Sequence, residues 1–211
     1  MLKNKKYVIF DWNGTLIDDA FVFVDVLNVL LKRRHLKTIN LKEYRELFCF
    51  PIKDFYKKIN IDISYKSFQQ LKVEFVSEYN LRRYSADLFI DTKLILEKLR
   101  GMGFSLSILS ASNQNTLNDL TAYYSINQYF DLIIGVDNYI ADGKIENGKK
   151  LMRTIGLDRN QIILIGDTDH DYEVAENLKI DCLLISHGHQ SEQRLKKSSN
   201  RVIKKFNQLF S

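Results

Sequence analysis

Lys6-Tyr7-Val8-Ile9-Phe10-Asp11-Trp12-Asn13-Gly14-Thr15-Leu16 is the stretch whose reading decides the fold. Its first half is a short aromatic and β-branched run, the pattern of a strand buried on both faces, and it stops at an acidic, glycine-containing turn. In an open α/β sheet, ligands bind beyond the carboxyl ends of the strands, so Asp11 is placed for chemistry. An Asp and a Gly at a strand end are also ordinary turn residues, so the rest of the chain has to decide between the two readings.

Outward from this stretch, similar apolar runs recur at Phe104–Leu109, Leu132–Ile134, Ile162–Ile165 and Cys182–Ile185. Helical spacing fills the intervals at Thr92–Gly101, Asn115–Tyr124, Gly148–Ile155 and Tyr172–Leu178. This alternation predicts an α/β fold with a doubly wound, mostly parallel sheet. From Asp18 to Tyr84 the pattern is helical only, with Phe21, Val24, Leu27, Leu30 and Leu31 on one helix and further helices at Leu41–Phe48, Ile52–Lys58 and Tyr65–Tyr79. That stretch is far longer than a loop of about 2–6 residues. It predicts a small helical cap over 18–85, inserted into a core formed by 1–17 and 86–211. The aromatic residues Phe48, Phe50, Phe55 and Tyr56 suit the lining of a substrate pocket, but such residues are more often the cap's own core, which is the favoured reading.

Composition narrows the function classes. With 211 residues, 45% of them hydrophobic, and a single proline, the chain reads as globular. Its formal net charge of +5 comes from Lys and Arg spread along the chain and interleaved with acids, which suits solubility and an anionic substrate better than nucleic acid. No apolar run approaches the ~20 residues of a membrane helix, and the basic Met1–Lys6 lead meets Asp11 too soon to read as a secretion signal. Cys49 and Cys182 are too few for a metal cluster and read as buried thiols in a reducing cytoplasm. His187 and His189 lack the further ligands a zinc site needs. Monomer and homodimer both stay open.

A second acidic cluster, Gly166-Asp167-Thr168-Asp169-His170-Asp171, leaves the sheet from the same edge as Asp11. Carboxylates gathered there repel one another unless a cation lies between them, and hard oxygen ligands suit Mg²⁺. Ser110, read as lying just beyond a strand end, offers a hydroxyl; taken alone it would be a helix N-cap. A lysine from Lys144, Lys149 and Lys150 would balance charge shared by carboxylate and phosphate, with Lys144 favoured because it precedes the helix and follows Gly143. Asp169 and His170 either support the metal ligands or face solvent. Nucleophile, metal, hydroxyl and cation together make a phosphoryl-transfer site.

Asp-x-x-Gly-Thr-Leu, the strand-end Ser, the lysine and Gly-Asp-x-x-x-Asp, in this order, resemble the four motifs of the haloacid dehalogenase superfamily. The helical insertion and the tail Ser186–Ser191 resemble its phosphoglycolate phosphatase and β-phosphoglucomutase branch. The resemblance implies Mg²⁺-dependent hydrolysis of a small phosphorylated metabolite, phosphoglycolate or a similar short acid, through an aspartyl phosphate on Asp11. Asp11, Asp167, Asp171 and the backbone carbonyl of Asn13 would hold the metal. Thr15, Ser110, Ala111 and Lys144 would contact the phosphate, while Lys53 and Arg45 of the cap would read the leaving group.

One residue departs from the pattern. Many phosphatases of this family carry an Asp two residues after the nucleophile as general acid and base, and here Asn13 stands there. Losing such an acid costs ~10²–10⁴ in rate, so acyl and aryl phosphates should outrun alkyl phosphates. Natural specialisation is favoured over a substitution made to trap substrate and over deamidation of Asn13-Gly14. Two other readings follow from Asn13: phosphonate cleavage with Lys53 forming an imine, and a catalytically weakened module that binds a phosphorylated ligand.

Overall fold

The computed structural model describes residues 1–137 and 143–210. Its strands are β1 (Tyr7–Phe10), β2 (Ile17–Asp18), β3 (Asp87–Leu88), β4 (Ser105–Asn113), β5 (Leu132–Val136), β6 (Ile162–Gly166), β7 (Asp181–Ile185) and β8 (Val202–Ile203). The helices are α1 (Ala20–Arg33), α2 (Leu41–Leu47), α3 (Ile52–Lys58), α4 (Tyr65–Arg82), α5 (Thr92–Gly101), α6 (Gln114–Tyr123), α7 (Lys144–Ile155), α8 (Asp169–Leu178) and α9 (Glu192–Ser198).

The main sheet runs β5-β4-β1-β6-β7-β8, with every pairing parallel. The chain builds outward from β1 through β4 to β5, then returns to β6 on the other side. The carboxyl ends of β1, β4 and β6 therefore border the crevice where such sheets bind ligands. Alternation along the central strands separates two cores: Val8, Phe10, Ile163 and Ile165 pack with α5 and α6, while Tyr7, Ile9, Ile162 and Leu164 pack with α7 and α8. Each fully buried Phe, Leu or Ile among them contributes about 1.5–3 kcal/mol.

Helices α1–α4 are inserted between β2 and β3 and gather their own core around Leu27, Leu30, Tyr44, Phe55 and Leu71. The chain leaves and re-enters the α/β core through an antiparallel pairing, Ile17 with Leu88 and Asp18 with Asp87. Ion pairs of Arg34 with Glu74 (2.9 Å) and of Arg33 with Glu78 reinforce the seam between α1 and α4, and Arg82 joins Glu78 from within α4 (2.5 Å). No helix of the described residues is long and apolar enough to cross a membrane.

Several boundaries differ from the sequence reading. Strand β4 continues past Leu109 to Asn113 across a register irregularity, so Ser110 lies inside the strand and Asn113, not Ser110, caps α6. Helix α7 begins at Lys144 itself, with Gly143 at its N-cap in the left-handed region (φ +104°). Helix α8 starts three residues earlier than its apolar period suggests, because Thr168 and Asp171 form a capping box. The two-residue strands β2, β3 and β8 are too short for periodicity to reveal.

Candidate active site

The register of the sheet brings the acidic motifs together. Phe10 pairs with Ile165 on one side and with Ile108 on the other, so Asp11, Asp167 and Ser110 all emerge at one edge. The turn after Asp11 closes on the carbonyl of Trp12, which accepts from Leu16 (2.9 Å), and on that of Ile17, which accepts from the Gly14 N–H (3.0 Å). Gly14 has φ +68°, and a Cβ there would run into Asp167 and His189. Capping of α8 by Thr168 then turns Asp171 back toward the site, where its Oδ2 accepts from the Thr168 backbone N–H (3.0 Å) and hydroxyl (2.7 Å).

Asp11, Asp167 and Asp171 each present a carboxylate oxygen within 4.8 Å of the others. Lys144 is 2% exposed and reaches two of them, Asp11 Oδ1 at 2.8 Å and Asp171 Oδ1 at 2.6 Å. Lys149 instead pairs with Glu146 at the surface (2.6 Å), and Lys150 is exposed, so of the three candidate lysines Lys144 is the one at the carboxylates.

Electrostatics follow from that count of charges. Burial, with the neighbouring Asp171 charge, pushes the Asp11 carboxyl up in spite of Lys144. Burial likewise raises Asp167. Burial acts against the Asp171 carboxylate too, but Lys144 and the Thr168 hydrogen bonds outweigh it and hold Asp171 low. Burial also opposes the Lys144 ammonium, yet its two acidic neighbours keep it firmly protonated. One lysine cannot balance three buried carboxylates, and hard oxygens at this spacing fit a small divalent cation such as Mg²⁺.

The other expected residues divide. Ala111 lines the cavity described below. Ser110 is buried, and its Oγ accepts from the Ser112 N–H (3.1 Å). Thr15, expected at the phosphate, is fully buried and donates instead to Asp167 Oδ1 (2.9 Å). Arg45 is not brought to the cavity; its guanidinium donates to the carbonyls of Gly188 (2.7 Å) and His187 (2.8 Å). Lys53 is exposed over the Phe68 ring (4.8 Å to the centroid), because Phe55 and Tyr56 take the inward face of α3. Asp169 joins Gln190 (2.8 Å) and Arg194 (2.7 Å), fastening α8 to the segment after β7, and His170 pairs with Glu173 (3.0 Å).

Sequence reasoning missed a polar network around Asn13. Its Nδ2 donates to Asp19 Oδ2 (2.5 Å), and its Oδ1 accepts from the Ser112 hydroxyl. Asp19 Oδ1 also accepts from the Gly14 N–H (2.9 Å) and from His189 Nε2 (3.1 Å). His189 Nδ1 lies 2.6 Å from the Tyr44 hydroxyl, and its backbone N–H donates to Asp167 (2.6 Å). Burial disfavours the imidazolium, but the Asp19 hydrogen bond and charge outweigh it and raise the His189 pKa. His187 stacks on Phe89 and meets the Thr15 carbonyl through Nε2 (3.1 Å), so the two histidines serve separate neighbours. Asp19 stands eight residues past Asp11 with no motif around it, and only the His-Gly-His tail hinted at this network.

A cavity of about 160 Å³ opens onto Asp11 and Asn13 and extends between core and cap. Phe48, Phe50, Phe55 and Tyr56, for which the sequence offers both a pocket lining and the favoured reading as the cap's own core, belong to that core and also form the cavity's walls.

Residues 8–185 match the haloacid dehalogenase-like hydrolase family. The chain belongs to that family. A phosphoglycolate phosphatase of Aquifex aeolicus is 25% identical over 187 residues, covering 81% of this chain and 80% of that protein. The pyrophosphatase PpaX of Listeria innocua is 23% identical over 176 residues, covering 81% and 78%. A haloacid dehalogenase-like family hydrolase from Streptococcus pneumoniae shares the fold, with a TM-score of 0.84 at 21% identity over 99% of this chain and 98% of that one.

Proposed function

We propose that this protein is a phosphatase that hydrolyses a small phosphate monoester, with Asp11 as the nucleophile. The observation that carries the reading is Asp11 at one end of a cavity between core and cap, paired with Lys144 at 2.8 Å and flanked by two further buried carboxylates. The phosphatase and pyrophosphatase relatives support the same reaction class.

An Asp11 oxygen adds to phosphorus in line with the ester oxygen, whose bond to phosphorus breaks. Lys144 holds Asp11 in place and offsets charge as the phosphoryl group arrives. Asp11, Asp167, Asp171 and the Asn13 carbonyl, which the closing bonds of its turn leave unused, would hold Mg²⁺. When bound, the ion would neutralise charge on the phosphoryl oxygens. Ser110 and Ala111, in the C-terminal half of the neighbouring strand β4, would stand beside the phosphate. Residues 18–85 would act as the cap, closing the site against bulk water.

The test is rapid acid quench during turnover of acetyl phosphate with Mg²⁺, followed by peptide mass spectrometry. One phosphoryl group on the peptide that holds Asp11, absent from Asp11→Asn, is the expected result. A phosphoryl group elsewhere, or turnover that persists in Asp11→Asn, removes the reading.

A further inference from the structure

We propose that the substrate of this site is an aryl phosphate, the phosphate ester of a phenol or a comparable aromatic hydroxyl. The inference rests on the phosphatase reading and specifies its substrate class from two independent features.

The first feature is the shape and chemistry of the cavity. One end is formed by Asp11 and Asn13, and the walls beyond are aromatic, among them Phe23, Phe48, Phe55 and Phe75. The rings are held by one another: Phe48 meets Phe55 edge to face at 5.4 Å, and Phe23 lies tilted against Phe75 at 5.6 Å. At about 160 Å³ the space matches the apolar cavities of about 150 Å³ that accept a single benzene ring. Among the described residues lining it, Lys72 is the one Lys or Arg. A short carboxylate-bearing ester such as phosphoglycolate would leave these rings uncovered.

The second feature is the missing proton donor. Asn13 offers an amide, Asp19 accepts from three N–H groups, and both ring nitrogens of His189 are engaged. With an amide at position 13, no carboxyl stands there to protonate a departing alkoxide, whereas a phenol, with a pKa of about 10, departs as phenolate far more easily. In balance, an Asp11 oxygen bonds to phosphorus as the phosphorus–phenol oxygen bond breaks. The phenolate takes the electron pair and later a proton from solvent. Water then adds to phosphorus, the bond to Asp11 breaks, the carboxylate is restored and the proton leaves with the phosphate.

Four substrates separate the two features in the full chain with Mg²⁺: phenyl phosphate, benzyl phosphate, acetyl phosphate and phosphoglycolate. Phenyl phosphate is expected to show the highest kcat/KM, at least ~10-fold above phosphoglycolate. Benzyl phosphate should share its low KM but turn over at least ~10-fold more slowly, because its leaving group needs a proton. Acetyl phosphate should turn over with a KM at least ~10-fold higher, because it has no ring. Val76→Trp, which puts bulk into the cavity, should lower the phenyl-to-acetyl ratio of kcat/KM by ~10-fold. A higher kcat/KM for phosphoglycolate or acetyl phosphate, or a Val76→Trp loss equal for all four, overturns the aryl assignment while leaving the phosphatase standing. No turnover of any of the four removes both.

Discussion

Replacing Lys144 by Met sets the balance of charge in the site against a measurable stability. The side chain is 2% exposed and bonds two carboxylates at 2.8 and 2.6 Å, so its removal leaves buried anions facing one another. Breaking a buried pair by deleting one partner costs about 3–5 kcal/mol. At about 2–4 °C per kcal/mol for a chain of this size, the metal-free melting temperature should fall by ~6–20 °C. Magnesium should then stabilise the variant more than the parent, because the cation meets three carboxylates whose charge no lysine offsets. A tenfold gain in affinity adds about 1.4 kcal/mol at a fixed saturating concentration, or ~3–6 °C. Differential scanning calorimetry with and without Mg²⁺ reads both shifts, and titration calorimetry reads the affinity. An equal or smaller magnesium shift in Lys144→Met would refute the assignment of these carboxylates to a cation.

Asp11→Asn should keep the fold and lower turnover to below about 1% of the parent, since an amide cannot form the phosphorylated intermediate; steady-state kinetics beside a thermal melt check it. Asn13→Asp should speed benzyl phosphate by ~10²–10⁴ and phenyl phosphate much less, as expected of a restored acid. The new carboxyl would face Asp19, so the variant should also melt lower than the parent; an equal response of both esters counts against Asn13 standing in an acid's place. Gly188→Ala should lower both activity and melting temperature, because a Cβ there runs into Asp167 and the Gly14 carbonyl. A parent-like melt and parent-like kinetics would show that this approach is looser than the structure has it.

How far the sequence could be read depends on whether a feature is carried by periodicity or by distance in the chain. Strand β1 and the acidic ends of β1 and β6 were legible because apolar runs stop at Asp11 and Gly166. The parallel sheet followed from the alternation of strands and helices. Ser110 was misplaced to a strand end because polar Ser-Ala-Ser-Asn continues β4 through an irregular register that no alternation reports. Arg45 and Lys53 looked like ligand contacts because they are cationic and lie in the cap, but sequence cannot say which face of a helix meets the site. The Asn13–Asp19–His189–Tyr44 network joins positions up to 170 residues apart, and its members become neighbours only when the segment after β7 folds across the β1 turn.

That network bears on why an amide stands at position 13. Asp19 accepts there from Asn13 Nδ2, while the Ser112 hydroxyl donates to the other atom of the same amide. An amide supplies both a donating NH₂ and an accepting oxygen, so it meets both neighbours as a neutral group. An ionised Asp would meet Ser112 equally well but would set a second carboxylate against Asp19, an arrangement that needs a shared proton or a displaced partner. Deamidation of Asn13 would require its side chain to be attacked by the Gly14 nitrogen. That N–H donates to Asp19 Oδ1 and the Ile17 carbonyl, and its residue is fixed at φ +68° by the close approach of Asp167 and His189. The surroundings therefore complement Asn and hold the nitrogen back from attack, which argues for a natural specialisation toward leaving groups that depart without a proton.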